Sequence, residues 1–132
     1  MEETKGNLCI TEGVPPCQVR AEVVSIGEDL VAMVSGGAKP HVGAVAIGIP
    51  RPSLANPEIV SATASVFAML GHKEDDLARS LARELAAALK RNVVVTVGIH
   101  VDQLSPEGIG SIEESCRNIL EKLIHQLSAC NI

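Results

Sequence analysis

From Cys17 onward the chain alternates between apolar and polar positions in a readable order. Val19, Ala21 and Val23 alternate with Gln18, Arg20 and Glu22, which predicts a half-buried strand. Gly27-Glu28-Asp29 reads as a turn. Leu30 to Ser35 forms a second strand, so the pair is expected to be a hairpin. Gly36-Gly37-Ala38-Lys39-Pro40 is expected to be a loop. The run His41 to Pro50 is apolar at both parities, the pattern of a central strand covered on two sides or packed into an interface. Residues 51–57 hold Pro52 and Pro57, which lack an N–H and fix φ, so a rigid loop is expected. Ala62, Ala64, Val66 and Ala68 alternate with Ser61, Thr63 and Ser65 in a further strand.

A polar connector, Gly71 to Asp76, then leads into a helix. Leu77, Leu81, Leu85 and Leu89 define its apolar stripe, with Asp75 and Asp76 at its start and Lys90 and Arg91 at its end. Val93, Val95, Val97, Ile99 and Val101 share one face of a clear strand. Ser105-Pro106-Glu107 opens a second helix, whose buried face is expected to run from Ile112 through Cys116 to Leu127, with His125 beside it as a structural residue. Residues 1–16 read as a loosely ordered start, in which Leu8-Cys9-Ile10 can pair as an edge strand. The order favours a single α+β domain over residues 1–132: a largely antiparallel sheet of five to six strands packed with two main helices. No Rossmann or Walker fingerprint is present.

Composition narrows the function. The chain has 132 residues, 46% of them apolar, yet Phe67 is its only aromatic residue. That aliphatic content excludes disorder, and the lack of aromatics argues against a single-strand nucleic-acid binder. Eleven basic and 16 acidic residues give a net charge of −5, which repels a phosphate backbone. The start lacks a basic segment followed by an apolar run, and no stretch is long enough to span a bilayer, so a cytoplasmic protein is expected. Four scattered cysteines without a CxxC pair suggest neither zinc nor a disulfide framework, and Cys116 reads as a reduced core thiol.

The candidate chemistry lies in four places that border apolar elements: Gly36, Gly37, Lys39, Pro40 and His41; Arg51, Pro52 and Ser53; His72, Lys73, Glu74 and Asp75; and His100 with Asp102. If they converge, Lys39, Arg51 and Lys73 suit a phosphate, with Gly36 and Gly37 exposing backbone N–H groups and the first helix offering its positive end. A metal held by His41, His72 and His100 with Asp75 or Asp102 is a second reading. A hydrolytic set drawn from Ser53 or Ser65, His72 or His100, and Asp75 or Asp102 is a third, although no nucleophile-elbow motif supports it.

Three runs, SGGAKPHVGAVAIGIPRPSL (35–54), SATASVFAMLGHKEDDLAR (61–79) and VVVTVGIHVDQLSPEGI (93–109), resemble the prenylated-flavin chaperone (LpdD-like) family, with the resemblance extending over about residues 17–128. It implies a fold similar to the proteasome-assembly chaperones, which often dimerise. It also implies a non-catalytic role: transient binding of prenylated FMN, made by a flavin prenyltransferase, and its delivery to the catalytic subunit of a UbiD-type decarboxylase. On that reading Lys39, Arg51 and Lys73 are the phosphate candidates, and His41, His72 and His100 are candidates for the polar edge of the ring. A small enzyme using the His/Asp rim, and a ligand-free assembly factor for the decarboxylase, are the alternatives.

Overall fold

The computed structural model describes residues 7–69 and 74–130. Their order is β1 (Leu8–Glu12), β2 (Val19–Ile26), β3 (Asp29–Gly37), β4 (Ala44–Pro52), β5 (Val60–Ala68), α1 (Asp75–Leu89), β6 (Val93–His100) and α2 (Pro106–Cys130). The six strands form one mixed sheet in the order β1-β2-β3-β6-β4-β5. Every pairing is antiparallel except β3 with β6. The α+β expectation is met. The parallel pair arises because β6 enters the sheet between the β2–β3 and β4–β5 hairpins.

Strand alternation then sorts the side chains onto two faces. Val19, Ala21, Val23, Leu30, Ala32, Val34, Val93, Val95 and Val97 are all buried on one of them. Both helices cover that face, α1 against β4, β5 and β6 and α2 against β1 and β2. In α1, Ala78, Leu81, Ala82, Leu85 and Ala86 point inward, and α2 adds Ile119, Leu123 and Leu127. Ala44, Ala46 and Gly48 keep β4 thin on this side. A Cβ at Gly48 would overlap the Ala82 carbonyl, so the bare glycine is what lets α1 lie close to the sheet. Truncating a fully buried side chain such as Leu123 to Ala would remove about 3 kcal/mol.

Three expectations are corrected. First, Gly36 and Gly37 belong to β3 and Arg51 and Pro52 to β4; neither pair lies in a loop. The β4–β6 ladder ends at Gly48, so Pro50 and Pro52 sit where β4 has β5 as its single neighbour, a place that tolerates a missing N–H. Second, His41 precedes β4. That strand is not covered on two sides, since Ile47 and Ile49 are exposed on the face without helices. Third, His125 is exposed on α2 and takes no part in its buried face. Lys90 stands at the end of α1 as expected, capping it in the left-handed conformation (φ 58°) and donating its N–H to the Ala86 carbonyl at 2.8 Å. Cys116 is buried as expected, and burial, aided by the charge of Glu113, pushes its thiol up to about 11. None of the described helices is long and apolar enough to cross a membrane.

Candidate functional site

Strands β3 and β6 run in parallel and end side by side, with Gly37 in register with His100. Carboxyl ends of parallel strands are a common place for a ligand crevice. The chain leaves β3 at Gly37 with φ 75°, and a Cβ there would overlap the His100 carbonyl. That same carbonyl accepts the Ala38 N–H at 2.8 Å and the Lys39 N–H at 3.4 Å. The following segment lies across the end of β6. The His41 N–H donates to the Gly98 carbonyl at 3.4 Å, and the Gly43 N–H donates to the Val97 carbonyl at 2.8 Å. No residue larger than glycine fits at 98, because its Cβ would overlap the His41 carbonyl.

Because β4 starts only at Ala44, the Ile99 N–H finds no strand partner there. Glu74, the residue preceding α1, accepts it at 3.2 Å. The same carboxylate stands 3.1 Å from Nε2 of His41, whose Nδ1 lies 2.9 Å from the Lys39 carbonyl oxygen. The Nδ1–H donates to that carbonyl, and Nε2 faces the carboxylate as an ion-pair contact when the imidazole is charged. The His41 and His100 rings meet edge to face at 6.5 Å. Nε2 of His100 is 2.8 Å from the Asp102 carboxylate. The hydrogen bond and charge of His100, then the charge of Lys39, hold the Asp102 carboxyl below its usual range. The result is a row in which two carboxylates flank two imidazoles, Glu74–His41–His100–Asp102, with the charge of Lys39 felt at Asp102. Such a row offers imidazole and carboxylate groups that can donate and accept hydrogen bonds to a polar ligand edge.

Next to this row is a cavity of about 390 Å³, lined by Pro15, Pro16, Gln18, Arg20, Ser35, Gly36, Gly37, Ala38 and Pro40. Its size falls within the usual range for small-molecule sites. The proline rings and glycine backbone offer flat, weakly polar walls of the sort a heteroaromatic ring can lie against. Arg20 adds a cation, paired with Glu22 at 2.8 Å. A larger groove, about 560 Å³, runs between α1 and α2, but Glu84, Glu113 and Glu121 line it, which disfavours an anionic ligand there.

Of the residues singled out in the sequence, the fold gathers Gly36, Gly37, Lys39, Pro40, His41, Glu74, His100 and Asp102 at one end of the sheet. It does not bring Arg51, Pro52 or Ser53 there. Seven residues of β4 separate Arg51 from Ala44, about 23 Å of extended chain. One phosphate cannot be shared between Arg51 and Lys39. Arg51 instead donates to the Thr63 hydroxyl at 2.7 Å and to the Pro52 carbonyl at 3.0 Å. The Ser53 hydroxyl accepts the Ala55 N–H in its turn. His72 and Lys73 lie outside the described residues. Asp75 sits in the first turn of α1 beside Asp76, so that helix end already faces carboxylates.

The glycine cradle is also corrected. The Gly37 N–H donates to the Gln18 carbonyl at 3.0 Å, and those of Ala38 and Lys39 are used on His100, so none points at an anion. These glycines serve close backbone packing. Among the described residues no group of three or more His, Cys, Asp or Glu is arranged to hold a metal. Ser65 lies in the register row of Val94, six residues along β6 from His100, or about 20 Å, so it forms no triad with His100 and Asp102. Sequence reasoning missed Pro15, Pro16, Gln18, Arg20 and Ser35. A signal existed for two of them: the Gly27 turn fixes the hairpin register, which sets Arg20 opposite Ser35.

With this geometry in hand, comparison with known proteins is informative. A family model described as "Prenylated flavin chaperone LpdD-like domain" matches residues 13–128. Protein LpdD of Lactiplantibacillus plantarum is 27% identical over 112 residues, spanning 85% of this chain and 79% of that protein. The matched span begins at the loop bordering the cavity and includes the whole His/carboxylate row.

Proposed function

The chain belongs to the prenylated flavin chaperone LpdD-like family, and from that premise we propose that it binds prenylated FMN transiently, without catalysis, and hands it to the catalytic subunit of a UbiD-type decarboxylase after a flavin prenyltransferase has made it. The observation that supports this reading best is the cavity of about 390 Å³ at the carboxyl ends of β3 and β6, flanked by the Glu74–His41–His100–Asp102 row. Pro15, Pro16, Pro40 and the glycine backbone would bear the ring's flat face. Arg20, which lines the cavity, and Lys39, next in sequence to its wall residue Ala38, are the cations assigned to its phosphate in this reading. His41 and His100 would meet polar ring atoms.

The weakness of these walls suits a carrier. Stacking on Tyr or Trp would deepen binding, whereas proline and backbone surfaces hold a ring loosely enough to release it. The enzyme alternative rests on the His/carboxylate row alone.

Native mass spectrometry of the protein purified from cells co-expressing a flavin prenyltransferase tests the proposal. A mass increment equal to prenylated FMN is expected in the wild type and in Arg51→Ala. It should fall about tenfold in occupancy in Lys39→Ala and in Arg20→Ala, the effect of losing one charge-assisted contact. An apo mass throughout would overturn the carrier reading and favour a ligand-free assembly factor.

A further inference from the structure

The sheet ends in two edge strands, and they are finished differently. β1 is five residues long and closes on Glu12, whose carboxylate is paired with Lys122 of α2. β5 is nine residues long, VSATASVFA, with no charged residue and no proline. Its register with β4 is unbroken from Ala44–Ala68 to Pro52–Val60, so no bulge twists the edge away. Among the described residues β4 is its single strand neighbour, so every second residue of β5 turns its N–H and carbonyl outward. Edge strands are ordinarily short, charged, bulged or broken by proline, because a long bare edge pairs with another chain. We propose that β5 is a docking edge, to which an extended, acidic segment of a partner protein adds as a seventh strand.

The cover over β5 is unfinished in the same direction. Ala44 and Ala46 of β4 are buried, while their register partners Ala68 and Val66 are exposed and half-buried. The side chains of an added strand would complete that face, and their partners on the open face would stand beside Ser61, Thr63 and Ser65. The charge of the segment follows from α1. This helix lies over β6, β4 and β5, whereas α2 lies over β1 and β2, so the side of α1 away from α2 stands above the β5 edge. Leu77, Ser80, Leu81 and Glu84 line the groove towards α2, and Ala78, Ala82, Leu85 and Ala86 are buried. The helical period puts Arg79, Arg83 and Lys90 on the remaining side. Ala82 packs over Gly48, which is in register with Ala64, so Arg79 and Arg83 flank the middle of β5. Asp75 and Asp76 stand in the first turn, and Asp76 is paired with Arg79 at 3.0 Å. Beyond that turn the cations prevail. Strand addition draws affinity from main-chain hydrogen bonds and selectivity from alternate side chains; here the edge supplies the first, and the cations select carboxylates.

An amide NMR titration of the ligand-free protein tests this independently of any flavin. The probe is a capped peptide of alternating valine and glutamate, matched to the nine residues of β5. Shifts are expected along Ser61 to Phe67, with hydrogen exchange slowed at every second amide of that run. A peptide of alternating valine and lysine should bind about tenfold more weakly, and so should the acidic peptide to the double variant Arg79→Glu/Arg83→Glu. Arg117→Glu, in the groove between the helices, should bind the acidic peptide as the wild type does. Methylating the peptide's backbone nitrogens should abolish binding. The proposal would be overturned by no binding, by equal affinity for the acidic and basic peptides, by undiminished binding of the methylated peptide, or by shifts on α1 with exchange in β5 unchanged. Edge pairing of two copies, seen as β5 amides already protected in a peptide-free dimer, would overturn it equally, because the edge would have another occupant.

Discussion

The two ends of the sheet carry similar residue types and do different things with them. At the carboxyl ends of β3 and β6, Lys39, His41, Glu74, His100 and Asp102 come from three separate stretches of sequence and interlock through backbone and side-chain contacts. At the opposite end, Arg51, Pro52 and Ser53 are consecutive in sequence and bond locally, Arg51 to the Pro52 carbonyl and the Thr63 hydroxyl and Ser53 to the Ala55 N–H. Clustering in sequence is therefore a poor guide to a site. What builds one is a place where strands stop in register and their exposed N–H and carbonyl groups must be met by other segments.

That difference predicts unequal sensitivity. The largest effect should come from Gly98→Val, which forces the His41 segment off β6. A loss of about 3 kcal/mol by urea unfolding is expected. Pro52→Ala at the other end should change stability by less than about 0.5 kcal/mol. Equal costs at both positions would erase the distinction.

A smaller loss is expected for Glu74→Ala. It leaves the half-buried Ile99 N–H without its acceptor and removes the partner of His41, costing about 2 kcal/mol. Arg51→Ala, whose bonds are exposed, should cost about 0.5 kcal/mol. Thermal unfolding of the two variants side by side would show it, and an unchanged Glu74→Ala would mean the carboxylate does not close the strand end.

The smallest effect concerns pH. The Asp102 carboxyl is depressed in the folded state, chiefly by the hydrogen bond from His100. Its contribution to stability is thus present above the ordinary carboxylate range and is lost as pH falls through the lowered value. His100→Ala should return the Asp102 titration upward toward the ordinary value, as followed by carboxyl-carbon NMR. An unmoved titration would separate the two residues.

Much of the architecture was legible from alternation and periodicity alone. The strands around Val19, Leu30, Ala62 and Val93 and both helices stand close to where their apolar spacing puts them, since one helix-covered face imposes a strict period of two. The open face was less legible. The two-sided apolar pattern of residues 41–50 reflects a surface that the single chain leaves bare, and a sequence does not say whether a helix or another molecule covers it. The site was half legible. Glycine, lysine and histidine at strand ends flagged Gly37, Lys39, His41 and His100. That Glu74 would reach 25 residues along the chain to Ile99 depends on how α1 crosses the sheet. The misplacement of Arg51 has the same origin, since a strand carries its two ends about 23 Å apart whatever their composition.

The most direct measurement is a two-dimensional amide NMR titration of the isotopically labelled protein with reduced prenylated FMN under anaerobic conditions. The account predicts shifts at Gln18, Arg20, Gly37, Ala38 and His41, with Arg51 to Asn56 unmoved. Shifts centred on Arg51 to Asn56, or on Leu77 and Glu84 in the groove between the helices, would contradict it.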